Sequence, residues 1–260
     1  MTMHNEKIVF FDIDGTLLNH DKKIPVSTRK ALKTLTENGV HVAIATGRAP
    51  FMFADLREDL GIDTFISFNG QYVKHQDKVV HTNPLSRDEI TVLEEEAKKN
   101  GHPMVFLDHE AMMSNHDEHP HIMKSMDDLK MHYPGYDPSY YHNREIYQAL
   151  LFCESNDEGG YRDAYGNLDF IRWHDYSMDV IPPGGSKAKG IEAMIDHLGF
   201  KRENTYAFGD ALNDIEMLKF AGTGVAMGNG YEEVKQVADY ITDPVDQNGI
   251  QKGLKKVGLL

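Results

Sequence analysis

Apolar residues fall along this chain in short runs, separated by stretches whose apolar positions recur every three or four residues. The first run, residues 8–13 (IVFFDI), is apolar on nearly every position and predicts a strand buried on both faces. Residues 26–38 carry Ala31, Leu32 and Leu35 on one side at helical spacing, and Gly39 stands where a helix stops. Residues 40–45 predict a second strand, 51–60 a helix and 64–68 a third short strand. Tyr72 and Val73, with residues 78–81, read as two paired strands. Strands joined by helices of this length imply a parallel sheet covered on both faces.

The rhythm changes near residue 83. Ser86 followed three positions later by Glu89 is a capping-box pattern, and it opens a helix to about Asn100. Strands are expected at 104–107, 146–154 and 168–174, with a His-, Met- and Tyr-rich irregular stretch between the first two. The first pattern then resumes: helix 186–198, strand 205–208, helix 212–220, strand 224–227, helix 232–238 and strand 240–242. The expected fold is α/β. A Rossmann-like parallel core spans residues 1–83 and 182–260, interrupted by an inserted α+β cap over 84–181.

Composition narrows the field. At 260 residues, with 40% hydrophobic and 26% charged residues, the chain has the balance of a globular protein with a substantial core. A formal net charge of -14 argues against nucleic-acid and anionic-membrane partners. It leaves room for a small anionic substrate wherever a metal ion and local cations outweigh distant carboxylates. Cys153 is the single cysteine and lies in an apolar stretch, so it reads as a buried structural thiol. The opening MTMHNEKIVFF is too short and polar for a signal peptide, and no apolar run approaches bilayer length. The expectation is a cytoplasmic protein. Oligomeric state is not readable.

Ligands of open parallel α/β sheets bind at the carboxyl ends of the strands. The first predicted strand ends in Asp12 and Asp14, the second in Thr46-Gly47-Arg48 and the third in Asn69-Gly70. In the returning half, Gly209-Asp210 is followed by Asn213 and Asp214. Carboxylates gathered in one crevice repel unless a cation holds them, and hard oxygen ligands suit Mg²⁺. The same residues have plainer readings. Asp12-x-Asp14-Gly15 could open a calcium loop, but its glycine is misplaced and no acidic residue closes it. Asn69-Gly70 could be only a hairpin turn, and Arg48 only a helix cap. The histidine-rich stretch 115–121 reads as exposed polar chain rather than a second metal site.

Asp12-Ile13-Asp14-Gly15-Thr16-Leu17 resembles the first motif of the haloacid dehalogenase superfamily of aspartyl phosphatases. Thr46 matches the second motif, Lys187 the third, and Gly209-Asp210-Ala211-Leu212-Asn213-Asp214 the fourth. Order and spacing resemble the Cof-type subfamily, whose large cap lies between the second and third motifs. Phe68-Asn69-Gly70 and Gly224-Val225-Ala226-Met227-Gly228-Asn229 fit it too. The resemblance implies Asp12 as nucleophile and Asp14 as general acid and base, a role that favours a raised carboxyl pKa. It implies Thr46 and Lys187 as phosphoryl ligands, with Gly47, Arg48, Asn69 and Asn213 around the phosphate or substrate. Asn213 could alternatively orient Lys187. Asp12, the Asp14 carbonyl, Asp210 and Asp214 would hold Mg²⁺, Asp214 directly or through water. Ser186-Lys187-Ala188-Lys189-Gly190 offers two lysines, and helix-entry geometry favours Lys187. The implied activity is Mg²⁺-dependent hydrolysis of a small phosphorylated metabolite, a sugar phosphate or phosphorylated cofactor, with the cap closing over the crevice and setting specificity. A phosphotransferase or phosphomutase, and a non-catalytic phospho-ligand binder, are the alternatives.

Overall fold

The computed structural model describes residues 6–260; residues 1–5, which begin the stretch MTMHNEKIVFF, lie outside the described residues. The chain opens with β1 (Ile8–Phe11), α1 (Val26–Glu37), β2 (His41–Ala45), α2 (Ala54–Leu60), β3 (Thr64–Ser67), β4 (Tyr72–His75) and β5 (Lys78–Thr82). The middle holds α3 (Arg87–Lys99), β6 (Met104–Leu107), β7 (Met112–Ser114), α4 (Pro120–Asp128), β8 (Gly135–Tyr136), β9 (Gln148–Leu151), α5 (Glu158–Ala164), β10 (Asp169–His174) and β11 (Ser177–Ile181). It ends with α6 (Lys187–Leu198), β12 (Thr205–Gly209), α7 (Ile215–Phe220), β13 (Thr223–Ala226), α8 (Glu232–Val237), β14 (Tyr240–Ile241) and α9 (Gly249–Lys256). The described residues form two compact units, one of those up to residue 48 with 52–82 and 186–260, the other of 49–51 and 83–185.

The first unit is built on an eight-stranded sheet in the order β14-β13-β12-β1-β2-β3-β4-β5. Strands from β14 to β3 are parallel, and β4 and β5 add an antiparallel edge. All four residues of β1 are buried, as the unbroken apolar run requires of a central strand. Ile8 and Phe10 face one core with Ile191 and Met194 of α6, Met217 of α7 and Val234 of α8. Phe11 turns to the other side and meets Phe208 at 5.1 Å between ring centres. Each such side chain contributes on the order of 1.5–3 kcal/mol by leaving water. Gly253 of α9 lies so close to Phe208 that a Cβ there would sit 2.6 Å from its ring. Helices therefore cover both faces, and the α/β class expected from the sequence is the class observed.

The second unit carries a six-stranded sheet, β10-β11-β9-β6-β7-β8, antiparallel except for the β7–β8 pair. One face packs Met104, Phe106, Ala149 and Leu151 against Ile90, Leu93 and Ala97 of α3. Cys153 belongs to this core, and burial pushes its thiol pKa up, as befits a structural cysteine. On β11, burial pushes the Asp179 carboxyl up to about 7, against hydrogen bonds from Gln148 and Trp173. The indole N–H of Trp173 is buried without completing a hydrogen bond of normal geometry. A cleft of about 720 Å³ lies among Asp108, Tyr140, Arg144 and Tyr147, and it shares no residue with the carboxylates described below.

Several expectations shift in detail. Ser86 precedes α3, but its side chain makes no capping hydrogen bond. The strand expected over 146–154 shortens to Gln148–Leu151, because the flanks bond individually: Leu85 N–H to the Ile146 carbonyl and Phe152 N–H to that of Pro103. The helix expected over 51–60 is α only from Ala54, after a 3₁₀ turn Pro50–Phe53. Strand β3 ends at Ser67, since Phe68 turns left-handed with φ 50°. β7, β8, β11, α4, α5 and α9 were not anticipated from the pattern.

Candidate active site

Everything the sequence assigned to the crevice lies in the first unit, at or just beyond the carboxyl ends of its parallel strands. Asp12 follows β1 and donates its backbone N–H to the Phe208 carbonyl at 3.0 Å, so the ends of β1 and β12 are tied together. Lys187 opens α6, capped by Ser186, whose hydroxyl accepts from the Lys189 N–H. The Lys187 side chain is fully buried whereas Lys189 is exposed, so Lys187 is the lysine that enters the site. Its Nζ donates to Asp12 Oδ1 at 2.5 Å and to Asp214 Oδ1 at 2.6 Å.

Asp214 uses both oxygens. Oδ1 takes the lysine, while Oδ2 accepts the backbone N–H groups of Asp210 and Ala211, each at 2.9 Å. Asp210 is braced in turn: Oδ1 accepts from the Thr16 hydroxyl at 2.8 Å and Oδ2 from the Asn229 amide at 3.4 Å. Gly15, at φ 80°, passes so near that a Cβ on it would sit 2.1 Å from Asp210 Oδ2. Ligand atoms of Asp12, Asp210 and Asp214 all lie within 4.8 Å of one another, and no other such group occurs among the described residues.

The electrostatics fit a divalent cation there. Three carboxylates face a single ammonium, an excess of two negative charges in a mostly buried cluster. Burial pushes the Asp12 carboxyl up; Lys187 draws it down, but Asp214 and Asp210 repel its charged form and the net direction is upward. Burial likewise raises Asp210, to about 6, with Asp214 adding to the push. Lys187 is penalised by burial, yet its two carboxylates more than restore the ammonium and raise its pKa overall. A divalent ion supplies the missing positive charge, and all three carboxylates offer hard oxygen donors.

Asp14 departs from its expected state. Burial pushes its carboxyl up, but Arg48 and Lys22 outweigh that and hold it below the usual range. Arg48 grips both oxygens, Nε on Oδ2 at 2.8 Å and an Nη on Oδ1 at 2.6 Å, and Lys22 Nζ adds a third contact at 2.6 Å. The raised pKa foreseen for a proton donor is therefore corrected to a lowered one. A fork-on-carboxylate pair, with Lys22 beside it, stabilises the ionised acid more than burial opposes it.

The second and third strand ends interlock. Thr46 is buried, and its hydroxyl accepts the Arg48 N–H at 3.2 Å. Asn69 donates its backbone N–H to the Thr46 carbonyl at 3.1 Å, and its side-chain amide lies over Gly47. Asn213 Nδ2 donates to Asn69 Oδ1 at 2.9 Å. Asn213 thus pairs with Asn69 rather than orienting Lys187. The structure brings Asp12, Asp210, Asp214 and Lys187 into direct contact, Asp14 with Arg48, and Thr46, Gly47, Asn69 and Asn213 into a second linked set. Reading the sequence missed Lys22, which sits in a loop with φ 59° and gives no local signal. Thr16 and Asn229 were quoted within motifs, but their bonds to Asp210 were not foreseen.

In the second unit, the ring centres of His116, His119 and His121 lie 5.0–5.3 Å apart in sequence. They do not form a ligand group of the kind the three aspartates make.

A largely parallel sheet thus carries an acidic cluster and a buried lysine at its strand ends. The profile of the haloacid dehalogenase-like hydrolases matches residues 9–254, and the chain belongs to that family, among its Cof-type phosphatases. It is 46% identical over 98% of its length to YkrA of Bacillus subtilis (strain 168), which is named as a phosphatase and is covered to 99%. The crystal structure of a hypothetical protein from Geobacillus kaustophilus HTA426 shares 57% identity at a TM-score of 0.97, covering 98% of this chain and all (100%) of that one. BT4131, described as a sugar phosphatase of subclass IIB of the superfamily, shares 33% identity at a TM-score of 0.81, with 98% and 100% of the two chains covered. The protein is a phosphatase of the haloacid dehalogenase type.

Proposed function

We propose that this phosphatase is Mg²⁺-dependent and hydrolyses a small phosphorylated metabolite, a sugar phosphate or a phosphorylated cofactor, through an aspartyl-phosphate on Asp12. The observation that carries the reading is the buried Lys187 ammonium between Asp12 and Asp214, with Asp210 alongside. A phosphate monoester dianion repels nucleophiles, so the site has to supply positive charge and hold the attacker in line. Lys187, the Thr46 hydroxyl and the Asn69–Asn213 amides would bind the phosphoryl oxygens. Asp12, Asp210 and the Asp14 carbonyl would hold the cation, with Asp214 completing the acidic set. When bound, the ion neutralises charge on Asp12 and on the phosphoryl group.

Asp12 would then attack phosphorus, breaking the bond to the leaving oxygen, which takes a proton from Asp14. In the second step ionised Asp14 takes a proton from water, whose oxygen attacks the aspartyl-phosphate and releases inorganic phosphate. The free protein holds Asp14 in the ionised form that the second step needs. For the first step, an arriving phosphate dianion would compete for Arg48 and Lys22, and Asp14 would take up from solvent the proton that it then gives to the leaving oxygen. Substrate discrimination is assigned to the inserted unit. The likeness to BT4131, a sugar phosphatase, supports a sugar-phosphate substrate.

The test is phosphate release from a panel of phosphorylated metabolites with Mg²⁺, ranked by kcat/KM. Asp12→Asn is expected to lower the rate by about a thousandfold or more; an undiminished rate overturns the assignment. Loss of the substrate's phosphoryl group only in the presence of an added hydroxyl acceptor, which becomes phosphorylated without release of free phosphate, overturns hydrolysis in favour of transfer.

A further inference from the structure

Asn229 stands outside the roles assigned above, yet its one side chain joins three separated segments. Its Nδ2 donates to the Gly15 carbonyl at 2.9 Å and, more weakly, to Asp210 Oδ2 at 3.4 Å. Its Oδ1 accepts the Val245 N–H at 2.8 Å. One end of the amide is therefore fixed to backbone beyond β14. The other end reaches the turn after Asp14 and the carboxylate of Asp210.

The flanking residues explain how a short side chain spans all three. A Cβ on Gly228 would sit 2.6 Å from the Pro244 nitrogen, and one on Gly230 would sit 2.9 Å from the Asp210 carbonyl oxygen. Backbone hydrogen bonds then clamp the segment from both sides: Tyr231 N–H to the Asp210 carbonyl at 3.0 Å and Gly228 N–H to the Asp243 carbonyl at 3.2 Å. Gly228-Asn229-Gly230 is thus wedged between two backbones at a spacing only glycine permits.

We propose that Asn229 is a positioning residue for the divalent cation, acting through Asp210 and the Gly15 turn. The inference rests on the Mg²⁺ dependence proposed above. Asp210 is held on Oδ1 by Thr16 and on Oδ2 by Asn229, so the plane of the carboxylate is set before any ion arrives. By taking the Gly15 carbonyl, the same amide also fixes the peptide that follows the Asp14 carbonyl. Outer partners of this kind orient oxygen ligands, and losing one costs roughly 10- to 100-fold in metal affinity.

The test is calorimetric titration of the full chain with MgCl₂ alone, no substrate present. Asn229→Ala, and the smaller change Asn229→Ser, are each expected to raise the Mg²⁺ dissociation constant by about 10- to 100-fold. At saturating Mg²⁺ both are expected to recover kcat/KM to within about threefold of the parent. Thr242→Val separates this role from general loosening: the Thr242 hydroxyl donates to the Gly249 carbonyl at 2.7 Å, bracing the same loop without touching Asp210. It is expected to lower Tm while leaving Mg²⁺ affinity unchanged. Unchanged affinity in the Asn229 variants, or an equal loss in Thr242→Val, overturns the inference alone. A parent chain that binds no Mg²⁺ overturns the metal reading and this inference with it.

Discussion

Asp14 accepts contacts from two cations whose exposure differs, and the difference decides how each can be tested. The Lys22 side chain is 64% exposed, that of Arg48 27%. Exposed pairs contribute about 0–1 kcal/mol. Lys22→Met is therefore expected to move the Asp14 limb of the kcat/KM profile to higher pH by less than about one unit. The sign follows because removing a cation destabilises the carboxylate relative to the acid. A pH–rate series on parent and variant checks it, and a shift to lower pH would remove Lys22 from the site. Lys22 was illegible in the sequence because an exposed loop lysine has no periodicity and no motif around it. Asp12 and Asp210 were legible because acids directly after apolar strand-forming runs are costly unless something uses them, and Asp214 because it ends the motif that Asp210 opens.

At the scale of elements, the turn after β3 shapes the site. Phe68, Asn69 and Gly70 take φ values of 50°, 52° and 98° in succession, and each left-handed non-glycine residue costs about 1–2 kcal/mol. That turn lets Asn69 reach both Thr46 and Asn213, and it packs Gly70 under the start of α6. A Cβ on Gly70 would sit 2.1 Å from the Ser186 carbonyl oxygen. Gly70→Ala is expected to cost more than about 1 kcal/mol of stability and to lower kcat by displacing Lys187, measured by urea unfolding and steady-state kinetics.

In the second unit the informative element is β11. Asp179 interrupts its apolar pattern (SMDVI), which is why no strand was expected there. Its folded pKa of about 7 exceeds the ordinary 3.8, so its contribution is fully present below about pH 4 and is lost as pH rises through 7. Asp179→Asn is expected to remove that loss and to be the more stable chain at pH 8, by roughly 1–4 kcal/mol. Denaturation midpoints at pH 5 and 8 check it. Helix α9 escaped notice for a related reason. Its glycines argue against a helix locally, and only the tertiary fit of Gly253 on Phe208 explains one of them.

Over the whole molecule, charge acts at two ranges. The formal net charge of -14 repels a phosphate dianion from afar, while Lys187, Arg48 and Lys22 act only near the site. Beyond the Debye length, about 10 Å at 0.1 M salt, only the first effect is screened away. At saturating Mg²⁺, kcat/KM is therefore expected to rise, by about twofold, as NaCl goes from about 10 to 150 mM. A fall would mean that local cations govern the encounter. The parallel core was legible because its strands are unbroken apolar runs. The inserted sheet was only half legible, since β7 and β8 are two or three residues long and take their shape from neighbours. Among the described residues no helix is long and apolar enough to cross a membrane.

Trp173 is the single tryptophan of the chain and lies in the second unit, beside the Asp179 carboxyl. Excited at the red edge of its absorption, this protein emits from one indole only. The emission therefore reports on the inserted unit without a label. Because a titrating carboxyl abuts the ring, its brightness should step near pH 7 and lose that step in Asp179→Asn.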